Sequence, residues 1–362
     1  MEDGARRLKF SFVLPLLILS ATGCTSIGAQ RMGIDRSDYS MRLLQNNKEQ
    51  LLLNIVAIRY GDAPAFLEVN SVISQYTREG SVHADFGIHP APDDADGTAG
   101  ANVLLRETPT ITYAPLSGER FSRSMLSPIP PASLLAMMEA GWSAEYLLRL
   151  SARSINGVRS GSHDPLFAGG ADPQFPLIVK AIGRLQRSGG IALHIERDEK
   201  SHFTARAVLS RSPSDVDRAD LEFIKRALNL PGDAKELAIR FGAAQPAPGQ
   251  LAIGSRSMFE ILTEMAQGVE LPVKDRDGRV TDGQTGVAGA DAAGEPPLVR
   301  IHCGPDRPAD PHVAIRYRGS WFWIDGTDSE SKRMFLITQI LLSLNDSSTA
   351  NNNAPLVTIP TG

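Results

Sequence analysis

Apolar positions along this chain follow two periods, one helical and one alternating, and the changeover between them marks out its elements. From about Asp38 to Arg59, Leu43, Leu44, Leu51, Leu52, Ile55, Val56 and Ile58 give broad apolar coverage at helical spacing, and Gly61-Asp62 and Pro64 stop the run. Phe66-Leu67-Glu68-Val69 and the stretch from Val72 to Phe86 predict strands or an irregular hairpin, with poor alternation. Residues 87–101, rich in Pro, Asp, Ala and Gly, read as a polar insertion, after which Thr110 to Tyr113 restores a strand signal. Pro131 suits a first helical position because its missing donor is not needed there. It leads into Leu134, Leu135, Met137 and Met138, and Gly141 breaks that helix. Ser143 is the expected cap of a second helix from Ala144 to Ile155, ended by Asn156-Gly157. Asp172-Pro173 opens a third, with Ile178, Ala181, Ile182 and Leu185 on one side and Gly189-Gly190 closing it.

Alternation dominates the second half. Ile191 to Glu196 and Phe203 to Leu209 predict a hairpin, Leu237 to Phe241 and Leu251 to Ile253 two further strands, and helical spacing recurs from Leu221 to Leu230. Ser214-x-x-Asp217 is a partial capping box, and Ser257-x-x-Glu260 a full one ahead of Ile261, Leu262, Met265 and Ala266. Residues 274–297, charged and rich in Gly and Ala, predict a mobile insertion. Near the end, Val299, Ile301 and Cys303, then Val313, Ile315 and Tyr317, alternate with polar residues. Arg318-Gly319-Ser320 reads as a tight turn into Trp321 to Ile324, a strand apolar on both faces. Thr327-x-x-Glu330 is the expected cap of a helix whose Leu336, Ile337, Ile340, Leu341 and Leu344 would cover that sheet. The fold class expected is α+β, with a helix-rich part over 38–190 and an α+β part over 191–344. In that scheme the C-terminal antiparallel sheet is covered by a helix and 345–362 form a flexible tail.

The first residues follow a different pattern. Arg6, Arg7 and Lys9 precede the apolar run Phe12 to Leu19, and Ala21-Thr22-Gly23-Cys24 ends it with small residues. That layout reads as a lipoprotein signal over 1–23, with Cys24 the acylated first residue of a tether over 24–37 and the outer membrane of a two-membrane cell as its address. The chain has 37 basic against 41 acidic residues, so its charge gives no reason to expect nucleic acid.

Catalytic signatures are sparse. No Gly-rich loop follows a convincing strand, and Gly254-Ser255-Arg256-Ser257 lacks the glycine placement of a nucleophile elbow. No cofactor, metal or catalytic residue is assigned. His302, Cys303 and His312 could assemble a zinc site or a Cys-His pair only across strands, against the plainer reading of surface imidazoles and a core thiol. Trp321 and Trp323 could line a groove or a partner surface, and Arg316 with Arg318 could hold an anionic glycan or a lipid phosphate if they share a face. The plainer readings are a packed strand and a solvated one.

Leu52-Leu53-Asn54-Ile55-Val56, Arg59-Tyr60-Gly61-Asp62, Ile155-Asn156-Gly157, Tyr317 to Asp325 and Ser331-Lys332 with Phe335 resemble segments of uncharacterised proteobacterial lipoproteins. The resemblance implies an envelope protein and supplies no activity. Three classes of function follow, in order: an accessory or structural component of an envelope assembly with a protein partner, a carrier or sensor of a lipid or glycan, and an exported hydrolase.

Overall fold

A computed structural model describes residues 27–88, 95–161, 170–197, 203–242, 246–272, 275 and 296–347. The first helix, α1 (Ile27–Arg59), leads into two long strands, β1 (Leu67–Ile88) and β2 (Ala95–Pro115). Short helical turns at Gly118–Phe121 (α2) and Ser122–Leu126 precede α3 (Pro131–Glu139) and α4 (Ala144–Ser151). Then come β3 (Ala152–Ile155), β4 (Val158–Arg159), α5 (Phe175–Ser188), β5 (Ile191–Arg197), β6 (Phe203–Leu209) and α6 (Asp215–Ala227). The chain ends with β7 (Glu236–Phe241), β8 (Gln250–Ser255), α7 (Met258–Ala266), β9 (His302–Gly304), β10 (Pro311–Tyr317), β11 (Ser320–Asp325) and α8 (Ser329–Ser347).

The result is a mixed α/β fold with a six-stranded and a three-stranded sheet, which corrects the expectation of a helix-rich N-terminal part followed by one covered sheet. The larger sheet has the order β4-β3-β8-β7-β6-β5, with β7 and β8 parallel and every other pair antiparallel. Ala205, Ala207, Leu209, Leu237 and Ile239 are buried beneath α3 to α6, while Ala192, His194, Arg206 and Arg240 on the opposite face are exposed.

The source of the error is local. The apolar spacing through Ala144–Ile155 suits a single helix, but the helix stops at Ser151 and its last four residues form β3 against β8. Asn156 and Gly157 both take positive φ, 47° and 85°, so they turn a hairpin into β4 instead of ending a helix.

The three-stranded sheet has the order β10-β11-β9, and its inner face carries Val313, Ile315, Phe322 and Ile324, all buried. Its main cover is α1, through Leu51, Leu52, Ile55 and Val56, and not the C-terminal helix expected there. The latter, α8, is wedged among α4, α7 and the turn at Ser122–Leu126, touching the sheet region through Phe335 edge-on to His312. β11 alternates buried and half-buried residues, so it is covered on one face only.

Caps follow the same division between local and distant causes. Ser257 and Glu260 complete a capping box, and the Ser214 side chain accepts the Asp217 amide. Ser143 does not cap α4: its hydroxyl is buried without a hydrogen-bond partner among the described residues, and Gln186 of α5 takes the Ala144 amide at 2.7 Å. At α8, Asp328 and not Thr327 accepts the Ser331 amide at 3.0 Å, because Thr327 is already bonded to Asp325.

Helix α1 begins at Ile27, inside the segment expected as a tether over 24–37, because extending an existing helix adds one hydrogen bond for each residue fixed. Residues 95–101 of the expected polar insertion are paired strand. Of 274–297, Asp275 is buried and the carbonyls of Pro296 and Pro297 accept Arg149; residues 276–295 lie outside the described residues. α8 extends to Ser347 and buries Asn345, so the expected tail starts later than 345.

Candidate functional site: a two-stranded arm and its root

β1 and β2 pair along their whole length, from Leu67 opposite Pro115 to Ile88 opposite Ala95, with one irregularity between Val69 and Ser71. They are hydrogen-bonded to no other strand, and no helix packs along them among the described residues. A two-stranded ribbon of this kind is marginal by itself in water, and both of its outer edges present unpaired backbone groups.

Register shows what periodicity alone concealed. From Ser71 onward cross-strand partners share a register position, so the even positions from Val72 to Ile88, Arg78 included, alternate with the odd ones, Ile73 to Gly87, and take their partners in the same order from Ile111 back to Ala95. Residues 95–101, rich in Ala and Gly and resembling low complexity in sequence, are thus one edge of a continuous ladder.

The arm leaves the body through a rigid root. Asn54, buried in α1, donates to the Ala65 carbonyl at 3.0 Å and accepts the Ala65 amide at 2.8 Å. Gln50 donates to the Leu67 carbonyl at 3.2 Å. The Leu116 amide donates to the Phe66 carbonyl at 2.9 Å, closing the base between two buried side chains.

Next to it, Tyr317 and Arg318 both donate to Asp62, the latter at 2.8 Å. The Arg318 guanidinium lies 5.0 Å from the Tyr60 ring centroid, and Tyr60 stacks obliquely on Tyr317 and edge-on to Phe322. The Tyr60 hydroxyl donates to Asp275 at 2.9 Å, and burial with that carboxylate pushes its pKa well above the ordinary phenol value. The Tyr317 hydrogen bond, helped by Arg318, holds Asp62 below the usual carboxylate range.

The residues singled out in the sequence separate here. Arg318 is committed to this root, at a turn with φ 45°, whereas Arg316 is exposed on the outer face of the C-terminal sheet, opposite Trp321. The two arginines therefore do not form one anion site. Trp321 and Trp323 are half-buried on that same outer face, with Arg307 5.4 Å from the Trp321 ring and His302 5.7 Å from that of Trp323. His302 is hydrogen-bonded to Glu270 at 3.0 Å. His312 lies on β10 and Cys303 on β9, with β11 between them, and no cluster of three metal-ligand side chains occurs among the described residues. Cys24 lies outside the described residues.

An apolar cavity of about 330 Å³ separates the helices from the large sheet, lined by Leu148, Ile155, Ile182, Leu193, Ile239 and Ile253 among others. None of Trp321 to Ile324, the strand expected to reach a ligand pocket, lines it. An open depression of about 800 Å³ beside α6 is lined by the basic residues Arg211, Arg218, Lys225, Arg226 and Lys235 against the acidic Glu222 and Asp233, so its lining is positive on balance.

No family model, curated protein or solved structure matches this chain. The expected descriptors lipoprotein, signal, palmitate, membrane, outer membrane, periplasm and cell envelope are corrected accordingly: no relative supports them, and no helix among the described residues is long and apolar enough to cross a membrane.

The segments that carried the resemblance do meet in space. Asn54, Tyr60 and Asp62 from one, and Tyr317, Arg318 and Phe322 from another, together make the arm's root. Sequence reading missed this because the two segments are separated by most of the chain. The polar Asn54 inside an otherwise apolar helical run was the one signal available.

Proposed function

We propose that this protein is a structural or accessory subunit of a multi-chain assembly and that it engages the assembly through the β1–β2 arm. The observation that carries the reading is the contrast between a tightly bonded root and an arm whose edges are unpaired among the described residues. Natural proteins cover or disrupt long free edges, so an extended ribbon held by a well-built base suits a strand-pairing role.

The test replaces residues 68–114 by a short Asn-Gly turn and compares native mass spectrometry and in-cell crosslinking with the intact chain. A stoichiometric complex formed by the intact chain and lost by a variant whose circular dichroism and melting temperature are retained supports the reading. A monomeric intact chain without crosslinks through the arm overturns it.

A second reading, a carrier of a small apolar molecule, is favoured by the cavity between helices and sheet, whose volume falls in the range of ligand sites. Gentle extraction followed by native mass spectrometry checks it: a bound mass displaced by Leu193→Trp supports a carrier, and an unliganded chain rejects it.

A further inference from the structure

The apolar cavity between the helices and the large sheet shares part of its wall with the open depression beside α6. Leu209, Leu221, Lys225 and Leu230 line both, so the two spaces adjoin, and Lys225 is the only charged residue common to them. We propose that together they form one binding site for a single-chain anionic amphiphile, a hydrocarbon chain ending in a carboxylate or phosphate, with the chain in the cavity and the head against Lys225 at the junction. The proposal deepens the carrier reading and rests on it.

The cavity selects the chain. Its volume is about 330 Å³ and its wall is mostly aliphatic, drawn from the inner face of the large sheet and the helices above it. Gln186 is the one uncharged polar side chain on that wall, and it is committed to the backbone. Its Oε1 accepts the Ala144 amide at 2.7 Å, and its Nε2 donates to the carbonyls of Trp142 at 2.8 Å and Met138 at 3.3 Å. A buried water needs several polar partners, which such a wall does not offer, whereas hydrocarbon needs none and each methylene removed from water adds to affinity.

Charge at the junction selects the head. Arg218, Leu221 and Lys225 share one face of α6 at helical spacing, and all of them border the depression. Lys225 is half-buried and donates to the Gly232 carbonyl at 2.7 Å, which holds its ammonium in place while leaving it further donors for an anion. Around it, Arg211, Arg226 and Lys235 form no salt bridge among the described residues, and Arg218 pairs with Asp215 at 3.1 Å. The acids of the depression, Glu222 and Asp233, are outnumbered, and Glu139, the only acid on the cavity wall, is exposed at the end of α3. A cationic head would meet like charge here, and a bare hydroxyl would gain no charge-assisted hydrogen bond. Neither half is sufficient alone: ion contacts in an open depression are screened by salt and water, and an aliphatic cavity does not tell one head from another.

The test titrates the full chain by isothermal calorimetry with dodecanoate, dodecyl phosphate, dodecanol and dodecyltrimethylammonium, each below its micelle concentration. The two anions should bind about ten- to a hundredfold more tightly than dodecanol, the scale of one hydrogen bond to a charged group, and the cation no more tightly than dodecanol. A preference between the anions separates a fatty acid from a lysophospholipid as the source of the head. Lys225→Gln should remove the advantage of the anions and leave the dodecanol affinity unchanged, and Lys225→Arg should keep it. Because Lys225 also holds the Gly232 carbonyl, Arg211→Gln combined with Arg226→Gln gives a second measure, a several-fold loss for the anions alone at an unchanged melting temperature. Leu193→Trp should abolish binding of all the amphiphiles. Dodecanol binding as tightly as dodecanoate and dodecyl phosphate overturns the anionic head and leaves the carrier reading standing. Inorganic phosphate binding as tightly as dodecyl phosphate also overturns the proposal, since it confines the site to the depression. A chain that binds none of the four amphiphiles removes both readings.

Discussion

Two of the protein's antiparallel hairpins, β1–β2 and β10–β11, have different fates. In β10–β11 the apolar face of Val313, Ile315, Phe322 and Ile324 is closed by α1, and its turn at Arg318-Gly319 is tied to Asp62. β1–β2 is paired to no further strand among the described residues and is tied to the body at its base, where Gln50 and Asn54 of α1 hold Leu67 and Ala65. Strand alternation thus states that a face must be covered and leaves open by what. Where the fold supplies a helix the hairpin is core, and where it supplies no further strand the ribbon's edges keep unpaired backbone groups.

Core truncation breaks the comparison most sharply. Phe322→Ala, at a fully buried position, should cost about 3–5 kcal/mol of unfolding free energy, whereas Tyr113→Ala, at an exposed position of the arm, should leave the melting of the isolated chain within experimental error. Equal losses from chemical denaturation of the two variants would mean that the arm is packed against the body. The root comes next. Asn54→Ala removes a buried side chain together with both of its hydrogen bonds to the Ala65 backbone and should cost about 1–2 kcal/mol, and amide exchange at Ala65 to Leu67 should quicken more than in β10. Gly319 takes φ 84° with open space where a side chain would begin, so Gly319→Ala pays only for backbone conformation, about 1 kcal/mol.

The smallest effect is pH-dependent. Asp62 titrates below its unfolded value because Tyr317 and Arg318 bond to its charged form. Its stabilisation is therefore present above the ordinary carboxylate pKa and is lost as pH falls through the depressed folded value. Denaturation midpoints followed from neutral to acid pH should fall more steeply for the wild type than for Asp62→Asn. Matching slopes would show that the root does not depend on this carboxylate.

Much of this was legible in the chain. The strands at Ile191, Phe203, Leu237 and Leu251, the Ser257–Glu260 box and the Arg318-Gly319 turn all follow from local spacing and local backbone preference. Less visible was β3, because Ala152 to Ile155 continues an apolar helical spacing and only pairing with β8 decides for strand. Gln186 capping α4 and Asn54 clamping the arm's base are bonds between segments, for which neither partner carries a local signal. Of the site residues expected, Arg318 proved to belong to the root, while Arg316, Trp321 and Trp323 share an outer face away from it.

By itself the sequence determined most of the helices and turns and which residues must leave water, since these depend on neighbours a few positions away. Tertiary structure alone decided which helix covers the C-terminal sheet, that β3 and β4 join the large sheet, and that a stretch resembling low complexity is a paired ribbon. The physical reason is that burial and register are properties of pairs: an apolar residue specifies that it needs a partner, and only the folded chain specifies which one it has.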